Sequence, residues 1–129
     1  MRLGYVIIYV PDVKTAVEFY ERAFGLERRF VHESGQYAEI ETGATALAFA
    51  GEDFVSTTSH TFKKNRPSED AAGAEVAFIV SDVKLAYEKA ISAGAVSNVE
   101  PHSKPWGQTV AYVRDCNGFL VEICSEIGA

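Results

Sequence analysis

The sequence predicts an α+β protein made of two tandem βαβββ modules. Three observations predict it: a segment that recurs, a strand-to-helix junction of one grammar in both copies, and β-prone runs after each helix. The segment Val6-Ile7-Ile8-Tyr9-Val10-Pro11-Asp12-Val13-Lys14-Thr15-Ala16-Val17-Glu18 returns as Val76-Ala77-Phe78-Ile79-Val80-Ser81-Asp82-Val83-Lys84-Leu85-Ala86-Tyr87-Glu88. Seven positions are identical at one constant offset: valine at 6/76 and 10/80, then Asp12/Asp82, Val13/Val83, Lys14/Lys84, Ala16/Ala86 and Glu18/Glu88. The period is too long for a solenoid and only two copies occur, so it reads as a duplication within one domain.

Each copy opens with an apolar β-prone run that ends at an aspartate. A carboxylate there can accept from the first free N–H groups of a helix, which marks Asp12 and Asp82 as N-caps. The first helix carries an apolar stripe at Val13, Ala16, Val17, Tyr20 and Phe24, and the second repeats it at Val83, Ala86, Tyr87, Ala90 and Ile91. Gly25 and Gly94 follow, where a left-handed residue commonly ends a helix. Strands are expected at about 26–33, 37–42 and 46–50 in the first half. In the second half they are expected near Val99, then at 109–114 and 119–125, with Asp115-Cys116-Asn117-Gly118 as a turn.

The chain is thus expected to form one domain over 1–129, with repeat halves at about 1–50 and 74–129 and a connector at 51–73. The connector is polar, rich in Ser and Thr, and carries Lys63-Lys64-Asn65-Arg66-Pro67. It reads equally as a flexible tether or as a flap over a binding cleft.

Composition narrows the function. With 129 residues there is room for one core, and a net charge of -6 argues against nucleic acid, whose phosphates need clustered Lys and Arg. The N-terminal apolar run is too short for a signal peptide, and no later run approaches a membrane span. The two cysteines, Cys116 and Cys124, lie close together in sequence and are expected to be reduced thiols of a cytoplasmic protein.

These features resemble the vicinal-oxygen-chelate superfamily, which includes glyoxalase I, extradiol dioxygenases, fosfomycin-resistance enzymes and bleomycin-resistance proteins. The resemblance covers nearly the whole chain. Its sharpest piece runs from Pro105-Trp106-Gly107-Gln108 through Tyr112-Val113-Arg114-Asp115-Cys116-Asn117-Gly118 to Val121-Glu122-Ile123, and the Pro-Trp-Gly start is similar to bleomycin-resistance sequences. The resemblance implies a curved, open mixed sheet around a small-molecule cleft, and a homodimer. Function does not follow from such a fold, which hosts unrelated chemistries.

In the superfamily's metalloenzymes four sheet positions, two per half, supply His, Glu or Gln to one divalent metal. Carried over by the repeat, they fall on Tyr5, about Ala48, Glu75 and Glu122. Alanine offers no donor, and tyrosine is a poor ligand for borderline metals. The expectation is no resident metal, with a weak divalent-ion site through Glu75 and Glu122 as the alternative. His32, His60 and His102 fall outside the four positions, although His102 can line a cleft rim.

Glu75 and Glu122 then serve either to recognise a cationic or hydrogen-bond-donating ligand or as acid–base groups. The bland alternative is that Glu122 only bonds a neighbouring tyrosine or amide. Tyr5, Tyr9, Phe49, Tyr112 and Trp106 are candidate aromatic walls, able to stack on flat ligands and attract cations. Two functions are therefore expected: a metal-free binder of an aromatic or cationic compound, or a glyoxalase-like lyase, epimerase, isomerase or dioxygenase using Glu75 and Glu122. A third is an interaction module with a vestigial cleft.

Overall fold

A computed structural model describes residues 1–58 and 60–128. The chain runs β1 (Tyr5–Val10), α1 (Val13–Phe24), β2 (Glu27–Val31), β3 (Tyr37–Glu41), β4 (Ala46–Gly51), α2 (Glu52–Val55), a 3-10 turn (Ser56–Thr58), β5 (Glu75–Ile79), α3 (Val83–Ser92), β6 (Val96–Ser103), β7 (Thr109–Arg114) and β8 (Leu120–Cys124). It builds two four-stranded mixed sheets, ordered β1-β4-β3-β2 and β5-β8-β7-β6. The duplication is real in three dimensions: both modules share one strand order, and β1 and β5 each run parallel to the last strand of their own module. This is the α+β architecture that the repeat predicts.

The junctions are built as expected. Asp12 Oδ1 accepts from the Thr15 amide at 3.0 Å, and Asp82 Oδ1 accepts from the Leu85 amide at 3.0 Å. Gly25 ends α1 in the left-handed region, at φ 67°. After α3, the Gly94 amide donates to Ile91 and the Ala95 amide to Ala90, the paired bonds that close a helix around a left-handed glycine.

In the first module α1 covers one face of its sheet, where Tyr20 and Phe49 meet at 5.0 Å and both are fully buried. Strand alternation assigns Ile8, Val10, Ala38, Ile40 and Leu47 to this covered face. The other face carries Tyr5, Ile7 and Tyr9, the small residues Ala46, Ala48 and Ala50, and Tyr37, Glu39 and Glu41. In the second module the Tyr87 hydroxyl of α3 meets Ser97 at 2.7 Å. This marks Val76, Phe78, Val113, Val121 and Ile123 as the covered side, leaving Ala77, Tyr112 and Glu122 on the other.

Two stretches differ from expectation. β6 is a full strand through Pro101 instead of a short one near Val99. Pro101 is tolerated because β6 is an edge strand and its register slips between Val99 and His102, where no ladder bond depends on the missing N–H. The connector, too, is built rather than loose. It begins with α2 and the 3-10 turn, and the chain divides into compact units at Lys64/Asn65, so its two ends belong to different units. In the first unit Phe62 packs edge-on against Tyr9 at 4.9 Å. In the second, Arg114 donates to the carbonyls of Glu69 (2.6 Å), Gly118 (2.8 Å), Arg66 (3.4 Å) and Pro67 (3.4 Å).

Candidate ligand-binding faces

Register places the residues at the family positions. Ile7 stands opposite Ala48 in the β1–β4 pair, and Ala77 stands opposite Glu122 in the β5–β8 pair. Ala48 is thereby the counterpart of Glu122. One strand further in, Glu39 lies opposite Ala48 and Tyr112 lies opposite Glu122.

The helix-free face of the second module gathers Glu75, Tyr112, Glu122 and Cys124. The Cys124 thiol donates to the Phe78 carbonyl at 3.6 Å, and the Glu122 carboxylate acts electrostatically on Glu75, Tyr112 and Cys124. Loss of hydration and the adjacent Glu122 charge raise the Glu75 pKa above the usual carboxylate range. Burial and the Glu122 carboxylate push the Tyr112 phenol up to about 12, and burial with the same carboxylate pushes the Cys124 thiol up to about 11. Cys124 is a protonated donor here, not a nucleophile.

The matching face of the first module holds a network that the sequence reading did not single out. Glu39 is 8 % exposed, accepts from the Tyr37 hydroxyl at 2.8 Å and pairs with Arg29 at 3.2 Å. Arg29 also bonds Glu41 and the Gly43 carbonyl. Burial first, then Glu39, raises the Tyr37 phenol to about 12. Arg28 stands opposite Ile40 on the covered side, so alternation turns Arg29 to this face, and the bulge that follows brings Phe30 opposite Glu39. Arg28, on the covered side, instead pairs with Glu21 of α1 at 2.9 Å. The legible signal was the alternation of polar Tyr37, Glu39 and Glu41 along one strand.

The expected aromatic walls separate. Tyr5 is exposed on the helix-free face of the first sheet, and Tyr9 shares that face against Phe62. Phe49 is a correction: it lies in the core beneath α1, not on a ligand face, because alternation along β4 turns Leu47 and Phe49 to the helix. His102 stands opposite Val110 on the helix-free side of β6, and its Nδ1 donates to the Glu100 carbonyl at 3.0 Å, leaving Nε2 as the acceptor nitrogen of the neutral ring.

Trp106 sits at the tip of the β6–β7 hairpin. The Lys104 amide donates to the Gln108 carbonyl at 2.7 Å and the Gly107 amide to the Lys104 carbonyl at 3.0 Å, with Gly107 at φ 82°. Pro105 presets the first turn dihedral and Gly107 supplies the left-handed one. The indole Nε1 donates to Gln108 Oε1 at 2.8 Å, and Gln108 Nε2 donates to the Ser125 carbonyl at 3.1 Å.

The donor set does not fit the family's divalent metal. Ala48 contributes no donor atom, which leaves two carboxylates, and no imidazole stands at a ligand position. Among the described residues no group of three or more His, Cys, Asp or Glu is gathered closely enough to hold an ion. Nor is any helix among them long and apolar enough to cross a membrane.

Paired βαβββ modules with carboxylates and tyrosines on the helix-free faces define a class of small-molecule fold, and comparison with known proteins places the chain within it. A model of the Glyoxalase/Bleomycin resistance protein/Dioxygenase superfamily matches residues 2–123, and the chain belongs to that superfamily. It is 28% identical over 124 residues to the uncharacterized protein YraH of Bacillus subtilis (strain 168), covering 95% of this chain and 97% of that one. Its fold is similar to that of a glyoxalase-related enzyme from Fulvimarina pelagi, with TM-score 0.82 and 19% identity over 98% of this chain and 88% of the other. A glyoxalase/bleomycin resistance protein/dioxygenase family enzyme from Burkholderia phytofirmans PsJN is similar at TM-score 0.79 and 20% identity, over 97% and 98% of the two chains.

Proposed function

We propose that this chain binds a small aromatic or cationic compound, in the manner of a glyoxalase/bleomycin-resistance-type binding protein and without a resident transition metal. The observation that carries the reading is the Glu75–Glu122 pair with the Tyr112 hydroxyl on one helix-free face. Such a set recognises a hydrogen-bond donor or a cation, whose charge offsets that of the two carboxylates. The single tryptophan makes the test direct. Titration with cationic aromatic compounds changes the Trp106 emission of the wild type, and Glu122→Gln weakens binding several-fold. A folded wild type that responds to none of them overturns the reading.

One observation favours a second function. Two neighbouring carboxyls, one with its pKa raised by burial and by the other's charge, make an acid–base pair that suits proton abstraction in a glyoxalase-like lyase, epimerase or isomerase. Elemental analysis of protein purified without chelator separates this from metal-dependent catalysis. We further propose that the chain works in the cytoplasm as a homodimer, for which light scattering is the test.

A further inference from the structure

We infer that Asn117-Gly118 is a latent self-modification site, where the main-chain nitrogen of Gly118 closes on the Asn117 carboxamide once the strap at 66–69 lets go. The fold holds this reaction off, and the reaction in turn unfastens the strap. The inference concerns the chain's own covalent chemistry and stands apart from the ligand proposed above.

The sequence sets the chemistry. Of Asn65, Asn98 and Asn117, only the last precedes a glycine, so no side chain hinders approach of the following nitrogen to the carboxamide carbon. The Gly118 amide gives its proton to hydroxide, and its nitrogen bonds to Asn117 Cγ. The carboxamide nitrogen takes a proton from water and leaves as ammonia, which gives a cyclic imide. Water opens that ring at either carbonyl. One opening yields aspartate; the other yields isoaspartate, whose main chain runs through the former side chain and is longer by one methylene.

The fold opposes each part of this step. Asp115 is buried within the β7–β8 turn. Its Oδ1 accepts from the Asn117 amide at 2.8 Å and from the Phe119 amide at 2.9 Å, and its carbonyl accepts from the Gly118 amide at 3.0 Å. Arg114 Nε donates to the Gly118 carbonyl at 2.8 Å. Successive peptide groups on both sides of Asn117 and Gly118 are therefore pinned, and ring closure has to turn the middle one. The proton that must leave is already bound to Asp115. Gly118 is itself buried, and the Arg66 carbonyl of the strap lies 2.6 Å from where a Cβ would stand. Hydroxide reaches the nitrogen only when this segment opens, so the rate follows the population of the open state.

The coupling also runs the other way. Isoaspartate lengthens the turn and sets a new carboxylate close to that of Asp115. The longer path carries the Gly118 amide off the Asp115 carbonyl and the Gly118 carbonyl off Arg114. The same guanidinium grips the carbonyls of Arg66, Pro67 and Glu69, so its loss of register at Gly118 loosens the strap. Ammonia has left, and the change is one-way.

The test incubates the full chain at mildly alkaline pH and follows Asn117 by peptide mass mapping, with electron-transfer fragmentation to tell isoaspartate from aspartate. The native chain is expected to convert at least about tenfold more slowly than the same chain in guanidinium, because conversion waits on local opening. Arg114→Gln, shown to be folded by its melting curve, should close most of that gap. So should Pro67→Gly, which slackens the strap and leaves Arg114 and Asp115 in place. Isolated isoaspartate chains should be cut faster than unmodified ones by limited proteolysis at 63–70, and Asn117→Ser should show no mass gain in this peptide.

Equal rates in the native and denatured chains overturn the inference. So does a denatured chain that does not convert, or conversion that neither Arg114→Gln nor Pro67→Gly speeds. Isoaspartate chains that keep the unmodified proteolysis pattern overturn the coupling to the strap.

Discussion

Glu39 stands directly opposite Ala48 in the β3–β4 ladder, at the place where the second module sets Tyr112 opposite Glu122. Both modules thus place a carboxylate and a tyrosine on their helix-free faces, the tyrosine on the third strand of each and the carboxylate on different strands. In the first, the carboxylate stands on β3 instead of β4, and Tyr37 donates to it from the same strand. That arrangement leaves Ala48 without a carboxylate at its position and gives Glu39 an arginine partner.

The raised pKa of Glu75 carries a pH dependence of stability with a definite sign. The Glu75 pKa is raised in the folded protein, so its contribution to stability is fully present below the unfolded value of 4.5 and is lost as pH rises through the folded one. At neutral pH the pair repels. Glu75→Gln is expected to raise the melting temperature at pH 7, by a gain below about 1 kcal/mol because the site is partly solvated, and to leave it unchanged at pH 4. A calorimetric scan at the two pH values decides it.

Tyr37 and Tyr112 both titrate near 12 against an ordinary value of 10.0. Stability that rests on their protonated hydroxyls is complete below pH 10 and disappears as pH climbs toward 12. Absorbance titration of the folded protein should place the transitions of Tyr37 and Tyr112 well above the ordinary tyrosine range. Glu39→Gln should bring the Tyr37 transition down and leave that of Tyr112 in place.

Gly118 has φ 84°, and a Cβ there would lie 2.6 Å from the Arg66 carbonyl oxygen and 2.7 Å from the Arg114 guanidinium. Gly118→Ala should cost about 1–3 kcal/mol, through backbone strain and the displaced segment. Limited proteolysis should show faster cleavage at 63–70, and Arg114→Gln should reproduce the cleavage without the backbone strain.

The two N-caps give a matched pair. Asp12→Ala and Asp82→Ala each remove one bond to an otherwise free amide and should each cost about 1 kcal/mol by chemical denaturation.

Much of this architecture was legible because the chain states it twice. Internal similarity aligned Tyr5 with Glu75 and located Ala48 against Glu122, and the capping aspartates and closing glycines marked both helices. What stayed hidden depends on register or on main-chain partners. Ala46-Leu47-Ala48-Phe49-Ala50 is apolar throughout and buried on both faces, so no polar residue announced which way Phe49 points. The pairing of Arg29 with Glu39 depends on the register of β2 against β3, which the sequence does not announce. The role of Arg114 was invisible because its acceptors are carbonyl oxygens, which every residue has.

That last property bears on how the protein can change. A guanidinium that grips only main-chain oxygens at 66, 67, 69 and 118 asks nothing of the side chains in the strap it holds. The Arg114 grip itself sets no demand on the charge or size of those side chains, and the residues that it constrains are Arg114 and Gly118. Selection is thus free to rewrite the chemistry of a surface segment without redesigning the fold that carries it.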